Sequence, residues 1–219
     1  RATDAGARGA TMPGVTADLL ARLMSADFDA MSARCHALAG LLTRGGEAHL
    51  TCPRGTDFRI DLSGRSGIPD DGDLSAPGAF GNLPCGEGFV SPAAGEGTIA
   101  ASSLALVGLV DEPVLLEVQE GNLTSATGAG GDEYLALLDA HGPLGRNLAE
   151  LGIGTNDRAT LTGNILEDEK ILGTAHVAFG ASAAIGGTVT VPVHLDVVVL
   201  EASLRIGATR VLERGRYLL

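Results

Sequence analysis

Apolar residues follow a helical spacing near the start of the chain and a strand spacing over most of the rest. Between residues 13 and 43 they recur every three or four positions, and the pattern stops at the pair Gly45-Gly46. Residues 48–53 and 57–64 then alternate apolar and polar positions, as strands with one buried face do. The pattern therefore predicts a helical lead followed by a strand-rich body.

Strand patterns separated by glycine turns fill most of that body. Residues 64–82 are rich in Gly, Pro and Asp and predict a long loop, whereas residues 132–141 predict a short helix. The other predicted strands lie at 97–103 and 113–119 and within 173–180, 186–200 and 202–207. We therefore expect an α+β fold with a sheet-dominated body.

The change of pattern near residue 45 also suggests a division into domains. We expect residues 1–45 to be a helical lead, the end of a truncated N-terminal α/β domain, because the chain opens on Arg1 in mid-pattern. Residues 46–219 would then form a catalytic, metal-binding domain.

Charge and cysteine content narrow the class of protein. A formal net charge of −12 argues against nucleic acid as a partner, because phosphate binding needs a basic face, and it disfavours anionic membranes. No apolar run approaches the length of about 18 residues that spans a bilayer, so no membrane partner is expected. The three cysteines are widely spaced and form no CxxC pair, so we expect reduced thiols and a cytoplasmic location.

The clearest candidate for chemistry is the pair His194 and Asp196 in a run of valines. Side chains two apart on a strand point to the same face, so this pair would share one side of a sheet. An imidazole and a carboxylate are costly to bury in an apolar segment unless each is paired. A metal ion would pair both, and a hydrogen-bonded His–Asp pair or a solvent-facing strand side is the alternative.

Three further candidates stand alone in apolar, glycine-punctuated segments: Glu87, Glu150 and His176. Glu87 lies between two glycines, which would allow a close approach to a ligand. His176 could face the His194 site from a neighbouring strand and complete a ligand set for zinc or non-haem iron(II). The alternatives are a core histidine and two surface glutamates. The acidic run 167–170 is interpreted as a solvated helix face without a site role.

Together, these segments resemble the aminopeptidase T family of metallo-aminopeptidases. The segments that carry the resemblance are NLPCGEGF, ELGIGTN, LGTAHVAFG and VPVHLDVVV, in residues 82–89, 150–156, 172–180 and 191–199. The resemblance implies a site for two divalent ions (Zn, Co, Mn or Mg). Its ligands would be Glu87, Glu150, His176, His194 and Asp196. It also implies a homodimer.

The sequence departs from that family at Ala183, where a tyrosine ligand is expected. The same superfamily includes ring-cleaving dihydroxypyridine dioxygenases, which share the H-x-D segment and hold one iron on two His and one Asp. Those enzymes have His at the position of Glu150 and apolar residues at the positions of Glu87 and His176. We therefore expect a hydrolase rather than a dioxygenase.

The expected hydrolase removes N-terminal amino acids from small peptides or amino-acid amides with a metal-bound hydroxide, and Glu87 doubles as a proton shuttle. Two alternatives stay open. One is a mononuclear iron(II) dioxygenase acting on a small ring substrate. The other is a metal-binding relative without peptidase activity.

Overall fold

The computed structural model describes residues 2–219 and is dominated by antiparallel strands. The helices are α1 (Ala17–Leu23), α2 (Phe28–Arg44), α3 (Gly131–Asp139) and α4 (Ile165–Asp168). The strands are β1 (Gly9–Thr11), β2 (Glu47–Thr51), β3 (Asp57–Asp61), β4 (Ile68–Asp70), β5 (Phe80–Asn82), β6 (Glu87–Val90), β7 (Ala94–Leu104), β8 (Gly108–Gln119), β9 (Asn122–Thr127), β10 (Leu148–Gly154), β11 (Ala175–Gly180), β12 (His194–Val199), β13 (Ser203–Ile206), β14 (Thr209–Glu213) and β15 (Arg216–Tyr217). The expected α+β class is confirmed.

Thirteen of these strands form one antiparallel sheet. Their order is β15-β14-β13-β2-β3-β7-β12-β11-β10-β6-β4, with β8 paired to β7 and β9 paired to β8. The two remaining strands, β1 and β5, pair with each other in parallel. The order places β6, β10, β11 and β12 side by side, although long stretches of sequence separate some of them.

Helix α2 covers the part of the sheet that contains β4 and β6. Asp27 caps this helix by accepting a hydrogen bond from Ala30 N at 3.0 Å. Leu38 and Leu42 on its inner side are fully buried in the main core. A Cβ at Gly88 would lie 2.5 Å from Leu38 Cβ, so this glycine beside Glu87 is needed for the approach of the helix rather than of a ligand.

The structure corrects several predicted boundaries. The helix predicted over 13–43 is two helices, because the side chains of Thr16 and Asp27 each cap a separate first turn. The loop predicted over 64–82 contains β4 and β5, which are short strands without apolar periodicity. In the run 186–200, the strand begins only at His194.

The lead and the body share one core, since Leu38 and Leu42 pack in the same cluster as residues of the sheet. The division at residue 45 and the truncated N-terminal domain stay predictions. Among the described residues, no helix is both long and apolar enough to cross a membrane. The cytoplasmic location likewise stays a prediction.

Candidate metal centre

The sheet register brings the predicted ligands onto one face. Ala178 on β11 pairs with Glu150 on β10 at one side and with Asp196 on β12 at the other. Residues directly opposite each other in adjacent strands project to the same side of a sheet. The small side chain of Ala178 therefore leaves the two flanking carboxylates room above it. His194 follows on the same face, opposite Gly180.

His176 depends on a glycine across the strand pair. It pairs with Gly152 on β10, and a Cβ at Gly152 would lie only 2.0 Å from His176 Nε2. The imidazole thus lies over the space that a side chain would fill. The ELGIGTN segment therefore supplies both a carboxylate, Glu150, and the space in which the neighbouring imidazole lies.

Glu87 and Glu150 link the imidazoles into one continuous cluster. His176 Nε2 lies 2.8 Å from Glu87 Oε2 and 3.3 Å from Glu150 Oε1. His194 Nε2 lies 3.4 Å from the other Glu150 oxygen and 3.7 Å from Asp196 Oδ1. Two trios of donor atoms result, each with atoms within 4.8 Å of one another. We call Glu87–Glu150–His176 the inner trio and Glu150–His194–Asp196 the outer trio.

The histidines of the two trios differ in exposure, and a backbone hydrogen bond orients the one in the outer trio. His176 is fully buried, whereas the His194 side chain is 33% exposed. The Nδ1 atom of His194 lies 2.8 Å from the Ala181 carbonyl, which accepts a hydrogen bond from the protonated Nδ1. This contact leaves Nε2 free to face Glu150 and Asp196, the usual orientation of an imidazole that ligates a metal.

Lys170 is a site residue that the sequence interpretation missed. The run 167–170 is not solvated, because all four of its side chains are buried. Lys170 Nζ lies 2.5 Å from Glu87 Oε1, 2.8 Å from Glu169 Oε1 and 3.7 Å from Asp70 Oδ2. It is the chain's single lysine among fifteen basic residues, and that was the available signal.

The rest of the acidic run is turned inward by specific partners. Arg22 on α1 donates to both oxygens of Glu167, at 2.6 Å from Nη2. Asp168 accepts from Ser103 Oγ at 2.8 Å and from the Thr162 amide at 2.8 Å. Because these two carboxylates are held in place, the residues that follow α4, Glu169 and Lys170, lie against the centre.

The charged groups perturb one another strongly. Burial alone would raise the pKa of Glu87, but the Lys170 ammonium and His176 outweigh it and lower that pKa to about 2. Burial would likewise raise the pKa of Glu150, but hydrogen bonds from His176 and His194 lower it. Burial disfavours charged His176 and His194, yet the facing carboxylates raise both pKa values well above normal. Without an ion, protons on the imidazoles balance the carboxylates.

Two further carboxylates, Asp70 and Glu169, border the centre without belonging to either trio. Asp70 pairs with Glu87 across β4 and β6, which sets two like charges side by side. Burial and then neighbouring carboxylates raise the pKa of Asp70 to about 7, although Lys170 opposes the rise. Burial, with Asp196 and Glu87, raises the pKa of Glu169 to about 8 against the same opposition.

The centre lies at the floor of a cavity of about 420 Å³. Its acidic floor is formed by Asp70, Glu87, Glu150, Glu169 and Asp196. Its walls include Ile68, Pro69, Phe80, Phe89, Ala184 and Ile185. The volume and the apolar walls suit a small organic molecule placed against the charged floor. Ala183 is exposed in a short 3₁₀ turn next to this wall.

All five residues predicted as ligands therefore come together, while their role as ligands stays a prediction. A sheet that gathers imidazoles and carboxylates under an apolar cavity points to a metal-dependent enzyme. The chain belongs to the NicX family, 2,5-dihydroxypyridine 5,6-dioxygenase, whose profile matches residues 2–218. No curated protein matches the sequence.

Solved structures with a similar fold include the following two. The 2,5-dihydroxypyridine dioxygenase from Pseudomonas putida KT2440 superposes with a TM-score of 0.78 at 22% identity, over 92% of this chain and 62% of that one. Wild-type AmpT from Thermus thermophilus gives a TM-score of 0.67 at 22% identity, over 89% of this chain and 56% of that one. The chain thus spans less than two thirds of either protein.

These comparisons overturn the predicted reaction. The superfamily is confirmed, but the narrower placement in aminopeptidase T is not. The prediction of a hydrolase, an aminopeptidase or metalloprotease, is wrong, because the family and the first of the two structures are those of a dioxygenase. The error lay in using Glu87, Glu150 and His176 to choose a reaction, since such donors indicate affinity for a cation and not the chemistry that follows. The expected homodimer stays a prediction.

Proposed function

We propose that this chain binds iron(II) at the outer trio and, with dioxygen, opens a small hydroxylated ring held in the cavity. The proposal rests on one observation above all. The three outer side chains converge at the cavity floor, within 4.8 Å of one another, in a chain of the dihydroxypyridine dioxygenase family.

The outer trio fits a divalent ion. His194 Nε2 lies 3.4 Å from Glu150 Oε2 and 3.7 Å from Asp196 Oδ1, so one ion could contact all three donor residues. Two carboxylates would balance the two charges of the ion. Many non-haem iron oxygenases use two histidines and one carboxylate. Here Glu150 makes the set one histidine and two carboxylates, so the donor set differs from that pattern.

Bound iron would supply the electron-transfer chemistry by which dioxygen attacks a ring. The chain's own residues would hold the ring and exchange a proton with it. The apolar lining, which includes Phe80 and Phe89, would offer nonpolar contacts to a ring ligand. Glu169 lines the floor, and its pKa of about 8 suits it to exchange a proton with a ring hydroxyl near neutral pH.

A second ion position is supported by the inner trio. His176 Nε2 faces Glu87 Oε2 at 2.8 Å and Glu150 Oε1 at 3.3 Å, and Glu150 could serve both positions. The predicted pair of divalent ions corresponds to this arrangement. Metal analysis of wild-type protein and of a His176→Gln variant distinguishes one bound ion from two. Two equivalents falling to one would support the second position, and one equivalent in both proteins would exclude it.

The test of the proposed reaction is oxygen uptake. Protein reconstituted with iron(II) without air is mixed with aerated 2,5-dihydroxypyridine in an oxygen electrode, with no added reductant. We expect one dioxygen consumed per ring lost, because both oxygen atoms enter the product. Asp196→Asn should abolish uptake, whereas the exposed Glu96→Gln should not. A folded, iron-loaded protein that consumes no oxygen would contradict the proposal.

A further inference from the structure

The two proposed ligands on β12 flank Leu195, whose side chain points to the opposite face of the sheet. Side chains alternate along a strand, so His194 and Asp196 line the cavity while Leu195 packs in the main core. The first three residues of β12 pair with β11, whereas the pairing with β7 lies further along, at Val197 and Val198. In the described part of the chain, the segment that carries the proposed ligands therefore has a neighbouring strand on one side only.

A tyrosine from α3 contacts the backbone in the middle of this segment. The Tyr134 hydroxyl donates a hydrogen bond to the Leu195 carbonyl oxygen at 2.7 Å, across 61 positions of sequence. Its ring is fully buried and meets Phe179, the residue opposite Leu195 on β11, edge to face with the centroids 6.5 Å apart. Packing thus holds the ring in place, and the single proton of the hydroxyl is committed to this carbonyl.

The hydrogen bond restrains the peptide unit from which Asp196 projects. A peptide unit is planar, so a contact that holds the Leu195 carbonyl oxygen also holds the Cα atom of Asp196. The next peptide unit is held as well, because the Asp196 carbonyl accepts a hydrogen bond from the Ala105 amide at 2.9 Å. Since the planes on both sides of its Cα atom are restrained, the backbone sets the direction of the Asp196 side chain.

Resting on the proposed ion at the outer trio, we infer that Tyr134 is a positioning residue of the metal centre. It acts through the Leu195 carbonyl and aligns Asp196 with His194 toward one ion, while it lies outside the cavity lining itself. The His194 ring has its own backbone partner, the Ala181 carbonyl, so the tyrosine adds a second restraint from the core side of the sheet. Contacts that orient the ligands of a metal typically account for about 10–100-fold in metal affinity.

The two tyrosines of the chain provide a matched pair of variants. Tyr134→Phe removes the oxygen that contacts Leu195 and keeps the ring, whereas the Tyr217 hydroxyl has no hydrogen-bond partner, so Tyr217→Phe is the control. Metal-free protein is titrated with cobalt(II), and the visible absorption that Asp196→Asn removes is assigned to the outer trio. We expect Tyr134→Phe to weaken this cobalt binding about tenfold and to shift the absorption bands of the saturated site, because those bands depend on ligand geometry. Tyr217→Phe should change neither.

Urea unfolding of the metal-free proteins distinguishes positioning of the ligands from stabilisation of the fold. If Tyr134→Phe lowers the unfolding midpoint but leaves the cobalt affinity and the spectrum unchanged, the inference is overturned while the proposed function stands. Equal weakening by the two variants would also overturn it, since the effect would not depend on the contact with Leu195. If wild-type protein gives no cobalt absorption that depends on Asp196, the inference and the proposed function fail together.

Discussion

Replacement of Lys170 by methionine is the sharpest test of how the centre is held together. Methionine has a similar unbranched shape but no charge. The variant would leave three buried carboxylates that Nζ now approaches at 2.5, 2.8 and 3.7 Å. At an effective dielectric constant of 20, one ion pair near 3 Å is worth roughly 5 kcal/mol before desolvation is counted.

The net effect is smaller, because removal of the lysine also removes the cost of burying it. Broken buried ion pairs typically destabilise proteins by about 3–5 kcal/mol, and we expect a loss of that size here. The assay is urea unfolding of metal-free protein at pH 7, followed by circular dichroism. The midpoint should fall by roughly 1–2 M. The exposed Arg8→Met is the control and should change the unfolding free energy by less than about 0.5 kcal/mol. A Lys170→Met loss no larger than the control's would refute the electrostatic account.

Two further predictions concern packing and pH. Gly152→Ala would place a methyl group within 2.0 Å of His176 Nε2. We therefore expect a lower metal content by elemental analysis and a loss of about 1–3 kcal/mol in the free energy of urea unfolding. In the control, Gly40→Ala, the added methyl group meets only the flexible Arg44 side chain, and neither change is expected. The folded pKa values of about 7 for Asp70 and about 8 for Glu169 lie above the unfolded values of about 3.9 and 4.3. The folded metal-free protein therefore holds protons that the unfolded chain has released, and thermal stability should fall as pH rises from 5 to 8. A flat or rising profile in chelator would contradict this assignment.

Local pattern was sufficient to predict His194 and Asp196 as a pair on one face. The period of a strand is two, and an imidazole and a carboxylate among valines need partners. The structure confirms that both side chains lie on one face. It also shows that His194 is opposite Gly180 and Asp196 is opposite Ala178, so each faces a small residue on β11. The α+β class followed from the same kind of local evidence.

Lys170 and Glu169 could not be placed in this way. Their run reads as a solvated helix face because the residues that bury it are distant in sequence. Glu87 lies 83 positions from Lys170, and Arg22 lies 145 positions from Glu167. Burial of a charged run is set by such long-range partners, which periodicity does not report. The reaction was missed for a different reason, since similar ligands serve both hydrolysis and oxygen chemistry.

The distribution of fixed positive charge explains why the outer trio is the better candidate for the reactive ion. In the inner half of the centre, the register forces Asp70 against Glu87, and the buried Lys170 ammonium lies within 4 Å of both. In the outer half, Glu150 and Asp196 flank Ala178, and the described cavity lining offers them no lysine or arginine. The positive groups near them are two imidazoles: His176, which Glu150 shares with Glu87, and His194, whose charge is lost whenever Nε2 binds a metal. The inner half thus carries its own cation, whereas the outer half requires one from solution, on the side that opens to the ligand.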